Sequence, residues 1–384
     1  MKNFIRITLA ALLAAWSGSA LAQSTQANSP GAERCTADEV IRFRGGTFRL
    51  ENDLFTNTDN NYTNGVAVTA VSHDIPGRLR TECVPAPVRW HAEFIKWVNP
   101  DFWADAGRTD AATQNVTMKF GQSMYTPEDY ARTDLIEDDR PYAGLLYLGM
   151  AWNRRRPAQE STTEILDTRE LTLGVIGPAS LAHEAQDIVH DLKRVEKFRG
   201  WDNQLHNEPA LQVAMERKFR TYRGTGAVIP GFSSDLIRSL GLHLGNIETA
   251  ATVGIEGRVG WNMPNDFGSY PIKPGAENRP PSAAVHDDST QASAIRPRSG
   301  IHLFSTLEAK LVGYDFSLDG NLFRSSHRVT RRPLVAQASI GVSVQSLIAG
   351  HGVRLASMWV HRSREFKEQS ENHSFGSVAL SIEF

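Results

Sequence analysis

The chain has 384 residues, with 41 basic and 43 acidic side chains and a formal net charge of −2. This balance offers no basic stripe for nucleic acid. Beyond the N-terminal segment no run of about 18 apolar residues occurs, which excludes a transmembrane helix. A closed barrel also satisfies every backbone group in lipid, so a soluble periplasmic protein and a barrel both remain open at this point.

The first residues have the features of a secretory signal. Lys2 and Arg6 precede a short apolar core, and small side chains lead up to Ala22. This order predicts removal of residues 1–22. Residues 23–38 are then expected to form an N-terminal tail, and residues 39–384 a single outer-membrane barrel domain.

Alternating apolar and polar residues dominate the rest of the chain. In the last segment Val378, Leu380, Ile382 and Phe384 share one face, and the residues between them are mostly polar. Segments of this kind, each about ten residues long, have the length and period of strands that cross a bilayer at a tilt. We expect an all-β protein, a transmembrane antiparallel barrel with both termini in the periplasm. About twelve strands are predicted, at residues 43–52, 62–73, 114–124, 144–153, 170–177, 209–220, 236–247, 250–261, 299–316, 333–345, 350–363 and 373–384.

The predicted connections differ in length and character. Residues 74–113 and 154–169 read as long polar stretches, and the Pro-, Gly- and Ser-rich stretch 264–298 is expected to be mobile and extracellular. One connection has helical periodicity. It opens after Gly177, Gly200 stops it, and it predicts a short loop helix at about 179–197 that lies against, plugs or caps the barrel.

The two cysteines, Cys35 and Cys83, flank the first predicted strands. Disulfides persist in exported proteins, so the two residues could form a bridge near one rim. Neither has a partner at zinc spacing. The sequence leaves both the paired and the unpaired state open.

The first polar segment that could carry chemistry runs from Glu51 to Gly65. Its Asn, Asp and Gly residues are typical of a hairpin loop. The oxygens of Asn52, Asp53 and Thr63 are also the ligand type that calcium prefers. The residue types alone permit either reading.

The second segment is the predicted helix. His190 follows Asp187 by three residues, close enough for the carboxylate to orient the imidazole. A neutral imidazole can take a proton from water, although an exposed helical histidine is more often simply solvated. His190 and Glu196 are six apart, which puts them on different faces of a helix. Both can serve one site if the helix ends before Glu196, or if they act on the substrate from different directions. A third segment, residues 137–144, reads as a turn in which Arg140 is a possible phosphate contact.

Several motifs together resemble the lipid A 3′-O-deacylase family of outer-membrane barrels, over about residues 40–384. They are Glu51-Asn-Asp-Leu-Phe, Tyr62-Thr-Asn-Gly, Asp138-Asp-Arg-Pro-Tyr-Ala-Gly, Gly174-Val-Ile-Gly-Pro, Gly200-Trp-Asp-Asn-Gln and Asn321-Leu-Phe. The resemblance implies a calcium-dependent esterase that removes an acyloxyacyl chain from lipid A, with its site near the outer rim between the wall and a loop helix. The family's functional residues correspond to Asn52, Asp53, Thr63, His190 and Glu196.

On this resemblance His190 is the general base that activates water, and Ca²⁺ is held by oxygens among Asn52, Asp53, Thr63 and Glu196. Lipid A or lipopolysaccharide is the implied partner, and a monomer is expected. The chain departs from the family pattern in the long loop that carries Trp90, Trp97 and Trp103. Two other functions stay open: an outer-membrane phospholipase with a serine nucleophile, and a porin-like or structural barrel without enzymatic activity.

Overall fold

The structure is a computed structural model that describes residues 41–52, 61–76, 83–100, 102, 112–157, 163–194, 196–224, 230–268 and 299–383. These residues form one antiparallel sheet of thirteen strands, of which Ile75–Pro76 is only two residues long. The other twelve close into a barrel, because β1 pairs with both β2 and β12 and each later strand pairs with the next. They are β1 Phe43–Asn52, β2 Asn61–Ser72, β3 Thr113–Thr126, β4 Ala143–Pro157, β5 Thr163–Ile176, β6 Glu208–Gly224, β7 Phe232–Gly245, β8 Glu248–Trp261, β9 Gly300–Asp315, β10 Leu334–Ile348, β11 His351–Arg362 and β12 His373–Glu383.

The described helices all lie in connections. They are α1 Ala86–Val98, α2 Ala182–Lys193 and α3 Phe316–Asp319, with 3₁₀ turns at Pro178–Ser180 and Trp201–Asn203. Among the described residues, none of these helices has the length and apolarity needed to span a membrane. The prediction of a twelve-stranded barrel with a loop helix is confirmed.

The two faces of the wall differ in polarity, as a lipid-embedded barrel requires. Outward positions carry exposed apolar side chains such as Leu240, Leu307 and Leu355, which are 53%, 60% and 51% exposed. Inward positions carry buried charges that pair across strands. Lys119 lies 3.4 Å from Glu170 inside the barrel. The surrounding lipid therefore buries the apolar side chains, whereas the polar side chains find their partners in the lumen.

The barrel has two rims, which we name by the chain ends. β1 begins and β12 ends at the terminal rim, where Gly45 pairs with Glu383. The other end, at Asn52 and Gly376, is the distal rim. Because the strands alternate in direction, the connection from β5 to β6, which carries α2, lies at the distal rim.

The connection from β8 to β9 leaves and returns at the terminal rim, since Trp261 pairs with Ile301 beside the chain ends. Residues 269–298 themselves lie outside the described residues. Periplasmic termini and an extracellular stretch 264–298 are therefore incompatible expectations. Composition alone predicts that a segment is a loop, and the parity of the strands decides on which side it lies.

The start of that connection crosses the lumen. Arg155 donates to the backbone carbonyl of Asn265 at 3.0 Å and to the side-chain oxygen of the same residue at 2.7 Å. Asp266 forms ion pairs with Arg258 and Arg354, on β8 and β11. The segment thereby bridges opposite walls of the barrel, and this arrangement weighs against an open pore.

Some predictions concern residues outside the described part of the chain. These are the signal segment 1–22, the tail 23–38, Trp103, Phe384 and the candidate ligand Asp53. Cys83 is disulfide-bonded. Its partner lies outside the described residues, and Cys35 is the other cysteine of the sequence.

Candidate active site

A row of outward-facing residues crosses four strands at the distal rim. Asn52 pairs with Asn64, Asn64 with Met124, and Met124 with Gly144. Directly opposed residues of antiparallel strands point to the same face. This face is the outer one, because the same strands expose Phe120 there at 50%. Asn52, Asn64 and Met124 are nevertheless only 5%, 7% and 3% exposed, so the outer wall is covered at this row.

Part of the cover is the segment that leads into α2. Gln122, on the outer face of β3, donates to the Ser180 carbonyl at 2.6 Å. A Cβ at Gly144 would collide with the side chains of Ser180 and Ala182. Glycine at this position therefore permits the close approach of the helix to the wall. The helix accordingly packs on the lipid-facing side of β3 and β4 and not inside the lumen.

One stripe of α2 is buried against this support. Ala182, Gln186 and His190 are four residues apart, and each is buried. Gln186 accepts a hydrogen bond from the Trp201 indole at 2.7 Å. Trp201 packs with Tyr142 and with Met124 of the wall. His190 thus lies on the side of the helix that faces protein.

The helix ends at Lys193, and Arg194 adopts a left-handed conformation with φ of 57°. This reversal brings the following residues back along the helix. Nδ1 of His190 donates to the Glu196 backbone carbonyl, and the Phe198 ring meets the imidazole edge to face at 5.8 Å. Donation from Nδ1 places the lone pair of the neutral ring on Nε2. The helix is therefore shorter than the predicted span of about 179–197, and its end before Glu196 meets the condition under which both residues can serve one site.

The expected role of Asp187 is wrong. Its carboxylate pairs with Lys197 at 3.2 Å, and His183 lies 3.7 Å away. The hydrogen bonds that the Lys197 ammonium donates to Asp191 and Asp187 raise its pKa. The orienting acceptor of His190 is a backbone carbonyl that only the chain reversal supplies, so side-chain spacing on the helix could not reveal it.

The Glu196 carboxylate points elsewhere. It accepts a hydrogen bond from the Tyr130 hydroxyl, which raises the pKa of that phenol. Tyr130 also meets Phe198 edge to face at 6.0 Å, and its carbonyl accepts from the Arg199 amide at 3.0 Å. The loop before β4 is therefore attached to the segment that holds His190. Sequence reasoning missed Tyr130 and Phe198, which carry no distinctive spacing.

The predicted calcium ligands can be compared with the structure only in part. Asn52 lies buried on the outward row, and Glu196 is exposed beside Tyr130. Thr63 belongs to β2, but its side chain, like Asp53, lies outside what the structure describes. Among the described residues no group of three His, Cys, Asp or Glu side chains could hold a metal. The amide oxygen of Asn52 and the carboxylate oxygens of Glu196 are nevertheless ligands of the type that a hard cation such as calcium prefers.

Arg140 is not a phosphate contact. It is 1% exposed and donates to Glu365 at 2.8 Å inside the mouth of the barrel. Its guanidinium lies over the Tyr125 and Phe366 rings at 5.7 and 5.6 Å. Although burial raises the pKa of Glu365, Arg362 and Arg140 lower it to about 2. The arginine of the Asp-Arg-Pro-Tyr motif is therefore held inside the barrel mouth and does not offer a cation to solvent.

The Asn321 motif is also structural. Asn321 accepts from the His206 amide and donates to the His206 carbonyl, both at 2.9 Å. Glu208 accepts from the amides of Leu322 and Phe323 at 3.2 and 3.0 Å. These bonds attach the loop after β9 to the start of β6, behind the segment that carries Trp201.

A cleft of about 640 Å³ opens beside the histidine segment. Asp187, Glu196 and Trp201 line it, together with Lys197 and Arg199. It therefore combines cationic and anionic groups with an aromatic wall at the distal rim, next to the lipid-facing surface.

Comparisons with known proteins agree with this architecture. The sequence profile of the family described as outer membrane protein LpxR matches residues 7–384. The chain belongs to the outer membrane protein LpxR family. It is thus an outer-membrane barrel of the kind found in Gram-negative bacteria. The comparison with curated protein sequences gave no match.

Among solved structures, LpxR from Salmonella typhimurium is similar over 88% of this chain and 100% of that chain, with 15% identity and a TM-score of 0.60. At this identity the likeness shows the fold. The beta domain of the Bordetella autotransporter BrkA aligns over 89% and 98% of the two chains, with 6% identity and a TM-score of 0.41.

Proposed function

We propose that this protein is a lipid A 3′-O-deacylase, a calcium-dependent esterase in which His190 activates water. The observation that carries the proposal is the position of α2 on the lipid-facing wall at the distal rim. A lipid ester could reach this position sideways from the membrane without entering the lumen. Membership of the LpxR family supports the substrate class.

Two lengths support a shared site for His190 and Asn52. The helix begins over Gly144 and also contacts β3, so it extends toward β1. From Ala182 to His190 the helix rises about 12 Å. Three strand spacings separate Gly144 from Asn52, about 14 Å. The length of the helix thus matches the distance that a site shared by the ring and the amide requires.

In the proposed reaction Nε2 of His190 takes a proton from the attacking water and later returns it to the leaving alcohol. The Glu196 carbonyl keeps the ring in the required tautomer and stabilises the imidazolium. Calcium bound by Asn52, Asp53, Thr63 and Glu196 would polarise the ester carbonyl. Arg199, exposed at the cleft, is positioned to meet an anionic head group.

The test is the mass of lipid A from cells that express wild type, His190→Asn or His351→Asn. Asparagine keeps a donor near Nδ1 but cannot act as a base, so His190→Asn is expected to fold and to lose at least about a hundredfold in activity. His351 is exposed at the terminal rim and serves as the matched control. Electrophoretic heat-modifiability verifies barrel assembly. Normal deacylation by His190→Asn would remove the histidine from the mechanism, and activity that survives a chelator would remove calcium.

A further inference from the structure

Helix α1 lies on the outer surface of the barrel at the terminal rim. Its buried face, Val88, Ala92 and Ile95, packs with Val116 and Trp152. Val116 and Trp152 have the strand parity of Phe120 and Leu148, which are 50% and 48% exposed on the outer face. The helix therefore covers lipid-side positions of β3 and β4, and both covered side chains are fully buried.

The opposite face of α1 is aromatic. Trp90 and Trp97 are 57% and 80% exposed. Phe94 lies between them, with ring centroids 6.0 and 6.2 Å away. At 100° per residue this stripe lies on the side away from the wall. Arg89, Glu93 and Lys96 share one flank, where Lys96 lies 3.9 Å from Glu93. A large exposed aromatic stripe on a helix usually marks an interaction surface.

The height of the wall indicates what this surface meets. Along β4, the segment before α2 covers Gly144, and the α1 region covers Trp152 and Arg154, whose guanidinium donates to the Phe102 carbonyl. Leu146 to Met150 remains between them. Five residues at 3.3 Å each, in a strand tilted by about 40°, give about 13 Å of height. The apolar band of such barrels is about 25 Å tall.

At β4 the bare wall thus supplies about half of the required apolar height, and the aromatic outer face of α1 can extend it at the terminal rim. Tryptophan is the residue that barrels place at the membrane interface. Arginine and lysine on the flank can extend toward lipid phosphates.

We propose that α1 is a lipid-binding helix that inserts Trp90, Phe94 and Trp97 into the glycerophospholipid leaflet at the terminal rim, with Arg89 and Lys96 at the head groups. The surface continues the lipid-facing wall above it, and this continuity selects lipid over a protein partner. The proposal does not depend on the enzymatic activity.

The test places the full-length protein in vesicles of phosphatidylethanolamine and phosphatidylglycerol, with or without bromine on the acyl chains. The emission of Trp90 and Trp97 is obtained as the difference between wild type and Trp90→Leu/Trp97→Leu. Bromolipid is expected to quench about half or more of it, and aqueous acrylamide little. Leucine keeps the stripe apolar, and heat-modifiability verifies assembly.

Two variants calibrate the measurement. The difference in emission between wild type and Trp359→Phe reports Trp359, a wall tryptophan that is 47% exposed and should be quenched by bromolipid. The corresponding difference for Trp152→Phe reports Trp152, which is completely buried under α1 and should be quenched by neither bromolipid nor acrylamide. Difference emission that responds to acrylamide and not to bromolipid would show a water-facing helix, open to a protein partner, and would overturn the proposal. Emission that responds to neither quencher would also overturn it.

Discussion

Replacing Gly144 by alanine tests whether the contact between α2 and the wall positions the site. The added methyl group would overlap Ser180 and Ala182, so the helix must move outward by about 1 Å to restore ordinary contact distances. Overpacking of this kind costs about 1–3 kcal/mol. A displacement of about 1 Å in a catalytic group lowers the rate by about a hundredfold. The barrel strands themselves should form normally.

Gly257→Ala is the matched control. Gly257 lies on the outer face of β8 between exposed residues, and an added Cβ there meets nothing within 4 Å. The assay measures lipid A deacylation by mass spectrometry, alongside tryptic cleavage at Arg194, which is exposed at the end of α2. We expect Gly144→Ala to be slow in deacylation and quickly cleaved, and Gly257→Ala to match wild type in both.

The two readouts distinguish a displaced helix α2 from a barrel that has not assembled. A Gly144→Ala protein with wild-type activity and wild-type resistance to trypsin would refute the inference that the wall contact positions the helix. A protein that fails to show heat-modifiable mobility would instead locate the damage in barrel assembly. Gln122→Ala, which removes only the hydrogen bond to the Ser180 carbonyl, would then replace it as the smaller perturbation.

Three further results are expected. Asp266→Ala removes the carboxylate that joins two inward arginines, so conductance across planar bilayers should rise from a low wild-type level; equal conductance would contradict a bridged lumen. Burial lowers the pKa of His91 to about 4, so its contribution to stability is present above pH 6.5 and is lost as the pH falls toward 4. From pH 7 to pH 5 wild type should lose about 2 kcal/mol more than His91→Leu in denaturant titrations. Tyr130→Phe removes the hydrogen bond to Glu196, and the calcium concentration for half-maximal activity should rise by roughly fivefold.

The sequence predicts the strands well because the environment imposes a period of two. Lipid outside and polar groups inside force alternation along every strand, and β1 is predicted to the residue. The alternation weakens where strands leave the apolar band. Residues 154–169 read as one polar stretch, but β4 continues to Pro157 and β5 starts at Thr163. Arg155 and Glu164 pair there inside the lumen at 2.6 Å.

Two other features show the limits of a linear reading. Strand β11 could not be assigned to faces from its sequence, but the structure turns Arg354 inward to Asp266 and stacks His361 outward on Trp359 at 5.6 Å. For the residues of helix α1 the sequence predicts only a long polar connection. Its wall-facing residues Val88 and Ala92 are spaced as in a helix, but exposed tryptophans on the other face hide the amphipathic pattern.

The site itself depends on contacts that sequence separation conceals. His190 and Glu196 could be matched to a family motif, but the hydrogen bond between them uses a backbone carbonyl, and the ring is covered by Phe198. Asn52 reaches the same row as Gly144 only through three successive strand pairings. Register decides this arrangement, and a shift of one residue would turn Asn52 into the lumen.

The outer position of both helices has a functional consequence. The ion pairs of Asp266 bridge the lumen, and Arg140 pairs with Glu365 in its mouth, so the described residues obstruct the passage of a lipid through the barrel. A substrate anchored by several acyl chains would also pay a large hydrophobic penalty on leaving the bilayer, about 0.8 kcal/mol for each CH₂ exposed. In the proposed mechanism a base on the lipid side of the wall avoids both obstacles, because the ester can approach while its chains stay in the membrane. At the terminal rim, toward the opposite leaflet, α1 covers part of the apolar wall. In our proposal the exposed aromatic face of α1 meets the lipid in place of the wall that it covers.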